Sequence, residues 1–234
     1  MGTLTHKAAR AAYGTAIDAV LKHVKKDREK GLLELVDLTE KYMGDNFQKE
    51  NYEAARKMIQ DPDNKWVKYV NHMIDELDPY VIRQTALNLG YEAAFYGTKT
   101  IREMRKKYDC NIPWLILMDP TSACYLHCTG CWAAEYGNRL NLTQLYNVIF
   151  SDKRFSASIH IEVNSKLFSL CKKHNDCAFH AFTNGTLVDE AFCEQMKEVG
   201  NLSLSISLEG FEEVNDLRRG AGVYEKVFQA LFPV

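Results

Sequence analysis

No run of apolar residues in this 234-residue chain approaches the length of a membrane-spanning helix. The first ten residues, MGTLTHKAAR, contain neither a long apolar core nor a cleavage signal. The formal net charge is only −2, so no excess of positive charge draws the protein to nucleic acid or to an anionic membrane. An odd number of cysteines, seven, suits a reducing compartment better than a disulfide framework. We therefore expect a cytoplasmic protein with no nucleic-acid or membrane partner.

The first half of the chain lacks the alternating pattern that is typical of β-strands. Apolar residues in AAYGTAIDAVLKHV and in GLLELVDLTEKYM recur at helical spacing. Asp78 followed by Pro79 predicts a helix start, and the stretch after it predicts a long helix that is kinked near Gly90 or Gly97. No residue of this half carries recognisable chemistry. Residues 1–112 are therefore predicted to form an all-helical region.

After residue 112 the pattern changes to short strands that alternate with helices. WLILM, SIHIEV, CAFHAFT and LSLSISLEG are predicted as strands. A helix is predicted to begin at Asn141 or Thr143, and later helices lie in SKLFSLCKKH, in LVDEAFCEQMKEVG, which Gly200 ends, and in GVYEKVFQAL. This alternation favours βαβ units with right-handed crossovers. The predicted fold class is thus α/β, a partial (β/α) barrel of about four parallel strands in residues 113–234.

The strand LSLSISLEG has one apolar and one polar face. The apolar face should pack on helices and contains Leu202, Leu204, Ile206 and Leu208; the polar face contains Ser203, Ser205, Ser207 and Glu209. The inner face of a filled barrel is normally apolar, so a polar inner face predicts a wet cavity that holds a polar ligand. An antiparallel strand with one face in solvent is the alternative, and the βαβ pattern favours the cavity.

Three cysteines follow the first predicted strand within the stretch CYLHCTGC. Cys124, Cys128 and Cys131 have the spacing Cys-x3-Cys-x2-Cys, and they fall where functional loops gather in parallel α/β folds. Three thiolates on a [4Fe–4S] cluster would leave one iron open to a small molecule such as an amino acid, whose amine and carboxylate can chelate it. His127 as a fourth ligand would instead give a Cys3His zinc site, which is the main chemical alternative.

The spacing of Cys124, Cys128 and Cys131 resembles the cluster motif of the radical SAM superfamily. The resemblance implies a [4Fe–4S] cluster whose open iron binds S-adenosylmethionine. Reductive cleavage of that cofactor would give a 5′-deoxyadenosyl radical, which abstracts hydrogen from a peptide or small-molecule substrate. An electron donor such as flavodoxin or ferredoxin is implied as a partner. The partial barrel would then be of the radical SAM type, and the protein would be an enzyme.

Three further segments resemble the peptide-maturase-like (SPASM-like) branch of this superfamily. They are FTNGT, SISLEG and NDLRRG, and with the cysteine loop they extend the resemblance over residues 112–231. By this match Asn184, Ser205 and Arg219 are candidates for contacts with S-adenosylmethionine. Asn184 also fits an ordinary turn, and Arg219 also fits a surface ion pair.

The chain departs from the family pattern in several places. Gly130 stands where the family has an aromatic residue, with Trp132 two positions later. The Gly-Gly-Glu-Pro motif that receives the cofactor's amino group is missing: ASIHIEVNSK stands in its place, and Glu162 is a poor substitute. A family barrel would also need about two more strands after the last one here. We therefore expect a truncated chain with weak or no cofactor cleavage, and the second class of function is a non-catalytic zinc module or an inactive fragment.

The remaining cysteines show no spacing that suggests a second cluster. Cys171 and Cys193 lie on predicted apolar helix faces, so both are predicted to be buried structural thiols.

Overall fold

The computed structural model describes residues 3–44, 47–118, 124, 126–131, 156–160 and 165–232. The chain divides into two compact units, Met1–Thr100 and Ile101–Val234. The domain boundary predicted between residues 112 and 113 remains a prediction. The helix predicted to start at Asn141 or Thr143, together with Trp132 and Glu162, lies outside the described residues.

The first unit is helical, as predicted. Its elements are α1 (Thr3–Lys26), α2 (Arg28–Met43), α3 (Lys49–Ile59), α4 (Lys65–Glu76), α5 (Pro79–Thr85) and a π-helix (Ala86–Gly97), and α6 (Thr98–Tyr108) spans the boundary to the second unit. Polar side chains set several helix starts. The Asp27 carboxylate accepts from the Lys30 amide at 3.1 Å, and the Asp78 carboxylate accepts from the Tyr80 amide at 2.8 Å.

The long helix predicted after Asp78 is present, with an irregularity of a particular kind. Pro79 occupies the first turn of α5, where its missing amide hydrogen costs nothing. The chain then continues without interruption as a π-helix from Ala86 to Gly97 before it returns to an α-helix. A π-helical segment thus contains Gly90 and ends at Gly97, where the sequence predicted a kink. Such segments are rare and often occur at functional sites.

The second unit contains a parallel sheet. In chain order its elements are β1 (Leu115–Met118), β2 (Ser156–His160), α7 (Ser165–Lys173), β3 (Phe179–Thr183), α8 (Glu190–Val199), β4 (Leu202–Ile206), α9 (Glu212–Arg219) and α10 (Val223–Leu231). The described strands are hydrogen-bonded in the order β1-β2-β3-β4, all of them parallel. The described residues as a whole are mostly helical, and their strands do not show a closed barrel.

Helices α7 and α8 pack against one face of β3 and β4. Phe179 of β3 and Leu202 of β4 are paired in register and buried, and they contact Leu167 and Phe192 of the two helices. Burial of each such side chain contributes about 1.5–3 kcal/mol, which makes this cluster the core of the unit. The prediction that Leu202 and Leu204 face helices is confirmed. The predicted stop of α8 is also confirmed, because Gly200 is left-handed with φ 68°.

Three features of this unit differ from the sequence predictions. Cys193 is exposed, so the prediction that it is buried is wrong, whereas Cys171 is fully buried as predicted. Leu208 lies beyond the end of β4 and is 44% exposed, so the apolar face of the strand stops before it. Helix α9 was not predicted, although acidic residues in its first turn and basic residues in its last turn are typical of a helix.

Candidate functional site

The cysteine loop contains a tight turn that requires glycine. The Cys131 amide donates to the Cys128 carbonyl at 3.2 Å, which closes a four-residue turn. Gly130, the third residue of this turn, has φ 72°, a conformation that side-chain-bearing residues rarely adopt. This geometry gives a physical reason for glycine where the family pattern has an aromatic residue.

The cysteine loop is attached to the end of helix α9. The Thr129 amide donates to the Arg218 carbonyl at 2.8 Å, and the Arg218 guanidinium donates back to the Thr129 carbonyl at 3.4 Å. These contacts join residues 89 positions apart in the chain. The loop after β1 and the helix after β4 therefore lie side by side.

Asn184 lies in the turn after β3 and reaches the same loop. Its Oδ1 accepts from the Thr186 amide at 3.0 Å and from the Thr186 hydroxyl at 2.8 Å, which is the local pattern of an Asx turn. Its Nδ2 donates to the sulfur of Cys124 across 3.7 Å. The ordinary turn role is thus confirmed, and the same side chain also contacts one of the three cysteines.

Ser205 lies on the polar face of β4, where a histidine that the sequence analysis missed binds it. The His180 ring on β3 lies between two hydroxyls, with Nδ1 2.8 Å from Ser203 and Nε2 2.8 Å from Ser205. The Ser203 hydroxyl also lies 3.3 Å from the Phe179 carbonyl. In the tautomer with the proton on Nδ1, Ser203 accepts from the ring and donates to that carbonyl, while Nε2 accepts from Ser205. Side chains alternate between the two faces of a strand. Because Phe179 and Ala181 in CAFHAFT face the core, His180 lies on the opposite, polar face of the sheet.

Arg219 pairs with the carboxylate that follows β4. The guanidinium groups of Arg218 and Arg219 bind the two oxygens of Glu209. Donation by Arg219 is the largest cause that holds the pKa of Glu209 below its ordinary value. The Arg219 side chain is 13% exposed, and its Nε is buried without a hydrogen-bond partner. Arg219 therefore forms the predicted ion pair and retains one unused donor.

The two residues at the start of the NDLRRG match have structural roles. Asn215 is fully buried, and its Oδ1 accepts from the Glu209 amide at 3.2 Å, which fixes the turn after β4. Asp216 accepts from the amides of Gly222 and Tyr224, so it caps the start of α10. The Tyr224 bond is the largest cause of the lowered pKa of Asp216.

The donor set of the cysteine loop fits an iron–sulfur cluster in its chemistry. Cys124, Cys128 and Cys131 share one loop, and none of them is in a disulfide. Among the described residues no three His, Cys, Asp or Glu side chains form a group that could hold a metal ion, and this includes the three cysteines and His127. Neither the cluster geometry nor the Cys3His zinc geometry is formed.

Among the described residues, no helix is long and apolar enough to span a membrane.

The comparisons with known proteins give one distant relative. Fe-coproporphyrin III synthase of Methanosarcina barkeri is 26% identical over 130 residues, which cover 50% of this chain. The matched segment spans 33% of that protein, so the chain covers about one third of the relative's length. No family model matches. A match of this strength supports a distant relationship to the radical SAM superfamily, and it shows neither the peptide-maturase branch nor a truncation.

Proposed function

We propose that the chain is a radical SAM-type protein in which Cys124, Cys128 and Cys131 hold a [4Fe–4S] cluster. The observation that carries this proposal is that the cysteine loop contacts both Asn184 and the end of α9. These two sites belong to the segments FTNGT and NDLRRG, which resemble the same superfamily as the cysteine spacing. The distant similarity to Fe-coproporphyrin III synthase supports it at the level of the superfamily.

The sequential order of the described strands also supports the proposal. In a parallel sheet of order β1-β2-β3-β4, right-handed crossovers place every connecting helix on the same face. That arrangement belongs to barrel-type sheets, whose other face lines a cavity, and here that other face carries His180, Ser203 and Ser205. We propose a partial barrel with this polar face inward.

In this proposal the chain's own residues bind and orient the cofactor. A cluster with S-adenosylmethionine would supply reductive cleavage of the cofactor and hydrogen abstraction from a peptide or small-molecule substrate, with an electron donor such as flavodoxin or ferredoxin. In the tautomer with the proton on Nδ1 of His180, Ser205 donates to the ring and offers its acceptor lone pairs to a donor group of the cofactor. Arg219 offers its unused Nε–H to a carboxylate. The absence of the Gly-Gly-Glu-Pro segment leads us to propose weak or no turnover.

Anaerobic reconstitution with iron and sulfide tests the cluster. We expect about four irons and four sulfides per chain and, after one-electron reduction with a strong reductant, an EPR signal that changes when S-adenosylmethionine is added. Cys128→Ala should lose iron, whereas Cys193→Ala, which removes an exposed cysteine on α8, should not. Equal iron loss in both variants, a cluster with four protein ligands, or a colourless chain that holds one tightly bound zinc ion would contradict the proposal.

The cofactor contact has its own matched pair of variants. Ser203 and Ser205 both bind His180 at 2.8 Å, but only Ser205 matches the family segment. Ser205→Ala should raise the S-adenosylmethionine concentration that gives half of the EPR change by about tenfold. This factor corresponds to the loss of one hydrogen bond of roughly 1.4 kcal/mol. Ser203→Ala removes the other hydroxyl partner of His180, which lies outside the family segment, and should raise that concentration less. The contact is wrong if the two variants respond alike. Release of 5′-deoxyadenosine at a rate typical of enzymes would contradict the weak-turnover part alone.

A further inference from the structure

The helical first unit contains a large apolar cavity whose role is independent of the proposed function. The cavity measures about 640 Å³ and is bounded by α1, α2, α4, α5 and the π-helix. Protein interiors normally leave few voids larger than a water molecule. A space of this size lies within the 300–1,000 Å³ that is typical of small-molecule sites.

The walls of the apolar cavity offer almost nothing to water. Among the described residues no charged side chain lines it, and the hydroxyl of Thr39, one of its few polar groups, already donates to the Leu35 carbonyl at 2.7 Å. A buried water needs two to four polar partners, so the cavity favours an apolar occupant.

The cavity penetrates the core of the unit. Val24, Leu32 and Ile74 form a buried cluster and also line the cavity. At the mouth, Leu35 and Met73 are 42% and 37% exposed. The space is therefore a slot that runs from an apolar rim to the buried centre.

The sequence leaves this space open by placing a glycine at a wall position. Gly90 lies within the π-helix and lines the cavity, and a Cβ added there would meet no atom within 4 Å. Ion pairs brace the surrounding helices: Arg83 of α5 binds Asp18 of α1 at 3.1 Å, and Arg28, at the start of α2, pairs with Asp75 of α4. The cavity is thus preformed, as small-molecule sites usually are.

The polarity and size of the cavity favour a small apolar molecule. Its lining is almost wholly apolar, and its volume of about 640 Å³ lies in the range of small-molecule sites. A flexible hydrocarbon chain has no backbone polar groups to satisfy and can follow the slot to the buried cluster.

We infer that the apolar cavity is a binding site for the aliphatic chain of a small lipid-like molecule. Binding of the uncharged fluorophore N-phenyl-1-naphthylamine to the full chain tests this site. We expect one molecule per chain with a dissociation constant on the order of 1–10 µM. We also expect displacement by 1-dodecanol and a rise in thermal midpoint of several degrees at saturating 1-dodecanol.

Two glycine variants localise the site. Gly90→Phe should fill the cavity and weaken N-phenyl-1-naphthylamine binding at least tenfold. Gly44→Phe is the matched control, because a Cβ at Gly44 also meets nothing within 4 Å but this residue does not line the cavity, so binding should be unchanged. If Gly90→Phe fails to fold, hydrogen exchange of the unaltered chain decides: protection by 1-dodecanol within residues 12–39 and 70–95 supports the site.

Several results would overturn the inference. They are the absence of fluorophore binding, equal weakening by the two glycine variants, and protection that falls only outside residues 12–39 and 70–95. Concentration-dependent dimerisation that Gly90→Phe abolishes, without fluorophore binding, would assign the cavity to an interface between copies of the chain instead.

Discussion

Replacing Gly185 with alanine should destabilise the turn that presents Asn184 to the cysteine loop. Gly185 has φ 76°, and an alanine Cβ there would lie 2.5 Å from Cγ2 of Ile206 on β4. The left-handed backbone costs an L-residue about 1–2 kcal/mol. The steric overlap adds about 1–3 kcal/mol, because a strand residue or the turn must shift. We expect a total loss of about 2–5 kcal/mol in the opening free energy of β3 and β4.

A second glycine separates the backbone cost from the steric cost. Gly222 has nearly the same φ, 75°, but a Cβ there meets no atom within 4 Å. Gly222→Ala should therefore lose only about 1–2 kcal/mol. In a double-mutant cycle, Ile206→Ala should reduce the penalty of Gly185→Ala by about 1–3 kcal/mol, since it removes the overlapping methyl group.

Native-state hydrogen exchange is the appropriate assay, because the amides of β3 and β4 report on the second unit alone. Global unfolding would combine the two units and is not a two-state measurement. The argument is refuted if Gly185→Ala and Gly222→Ala lose the same free energy within about 0.5 kcal/mol, or if the cycle shows no coupling between residues 185 and 206.

Three further predictions concern buried or hydrogen-bonded groups of the second unit. Burial raises the pKa of Cys171 from 9.0 to about 12, so its thiolate fraction at pH 8 falls by roughly a thousandfold and iodoacetamide should modify it at least that much more slowly than the exposed Cys110. The pKa of Asp216 in the folded chain lies below its ordinary value of 3.8. The stabilisation that the Asp216 carboxylate provides is therefore complete above pH 3.8 and is lost as the pH falls through the lowered pKa. Asp216→Asn should therefore reduce the fall in the opening free energy of β3 and β4 below about pH 4, measured by native-state hydrogen exchange. Asn201 is buried, and its Nδ2, which has two hydrogens, lies 3.0–3.1 Å from three backbone carbonyls. Asn201→Ala should therefore cost about 1–3 kcal/mol in the opening free energy measured at the β3 amides, and Asn201→Asp should cost more at pH 7 than at pH 4.

Each of these three has a clear contrary result. Mass-spectrometric peptide mapping that finds equal alkylation of Cys171 and Cys110 in the folded chain would disprove the burial argument. If the stability of the second unit falls equally at acid pH in the unaltered chain and in Asp216→Asn, then Asp216 does not contribute to the pH dependence. An Asn201→Asp variant that is as stable at pH 7 as at pH 4 would mean that a carboxylate can lie beside those carbonyls without cost.

The local elements of the fold were readable from neighbouring residues. The alternation in LSLSISLEG predicted both β4 and its polar face, and Gly200 predicted the end of α8. Asp78 and Pro79 predicted the start of α5. Each of these signals depends on a backbone hydrogen bond or a burial period within a few residues, so the information is present in the local sequence.

The candidate site was readable only in part. The cysteine spacing pointed to a metal-binding loop, but the sequence did not reveal the contact between Thr129 and Arg218. It also missed His180, although the strand alternation placed that residue on the polar face. Helix α9 was missed because its apolar residues, Val214 and Leu217, are exposed and give no core-facing stripe.

The sequence by itself determined which residues are helical or extended, which strand face is polar, and that three thiols share one short loop, because each of these depends on chain neighbours. Only the tertiary structure decided that the loop lies against α9, that His180 lies between two serines, and that the helical unit surrounds an apolar cavity. Such arrangements are set by the sum of many weak contacts between residues distant in the chain, and no single spacing in the sequence encodes that sum.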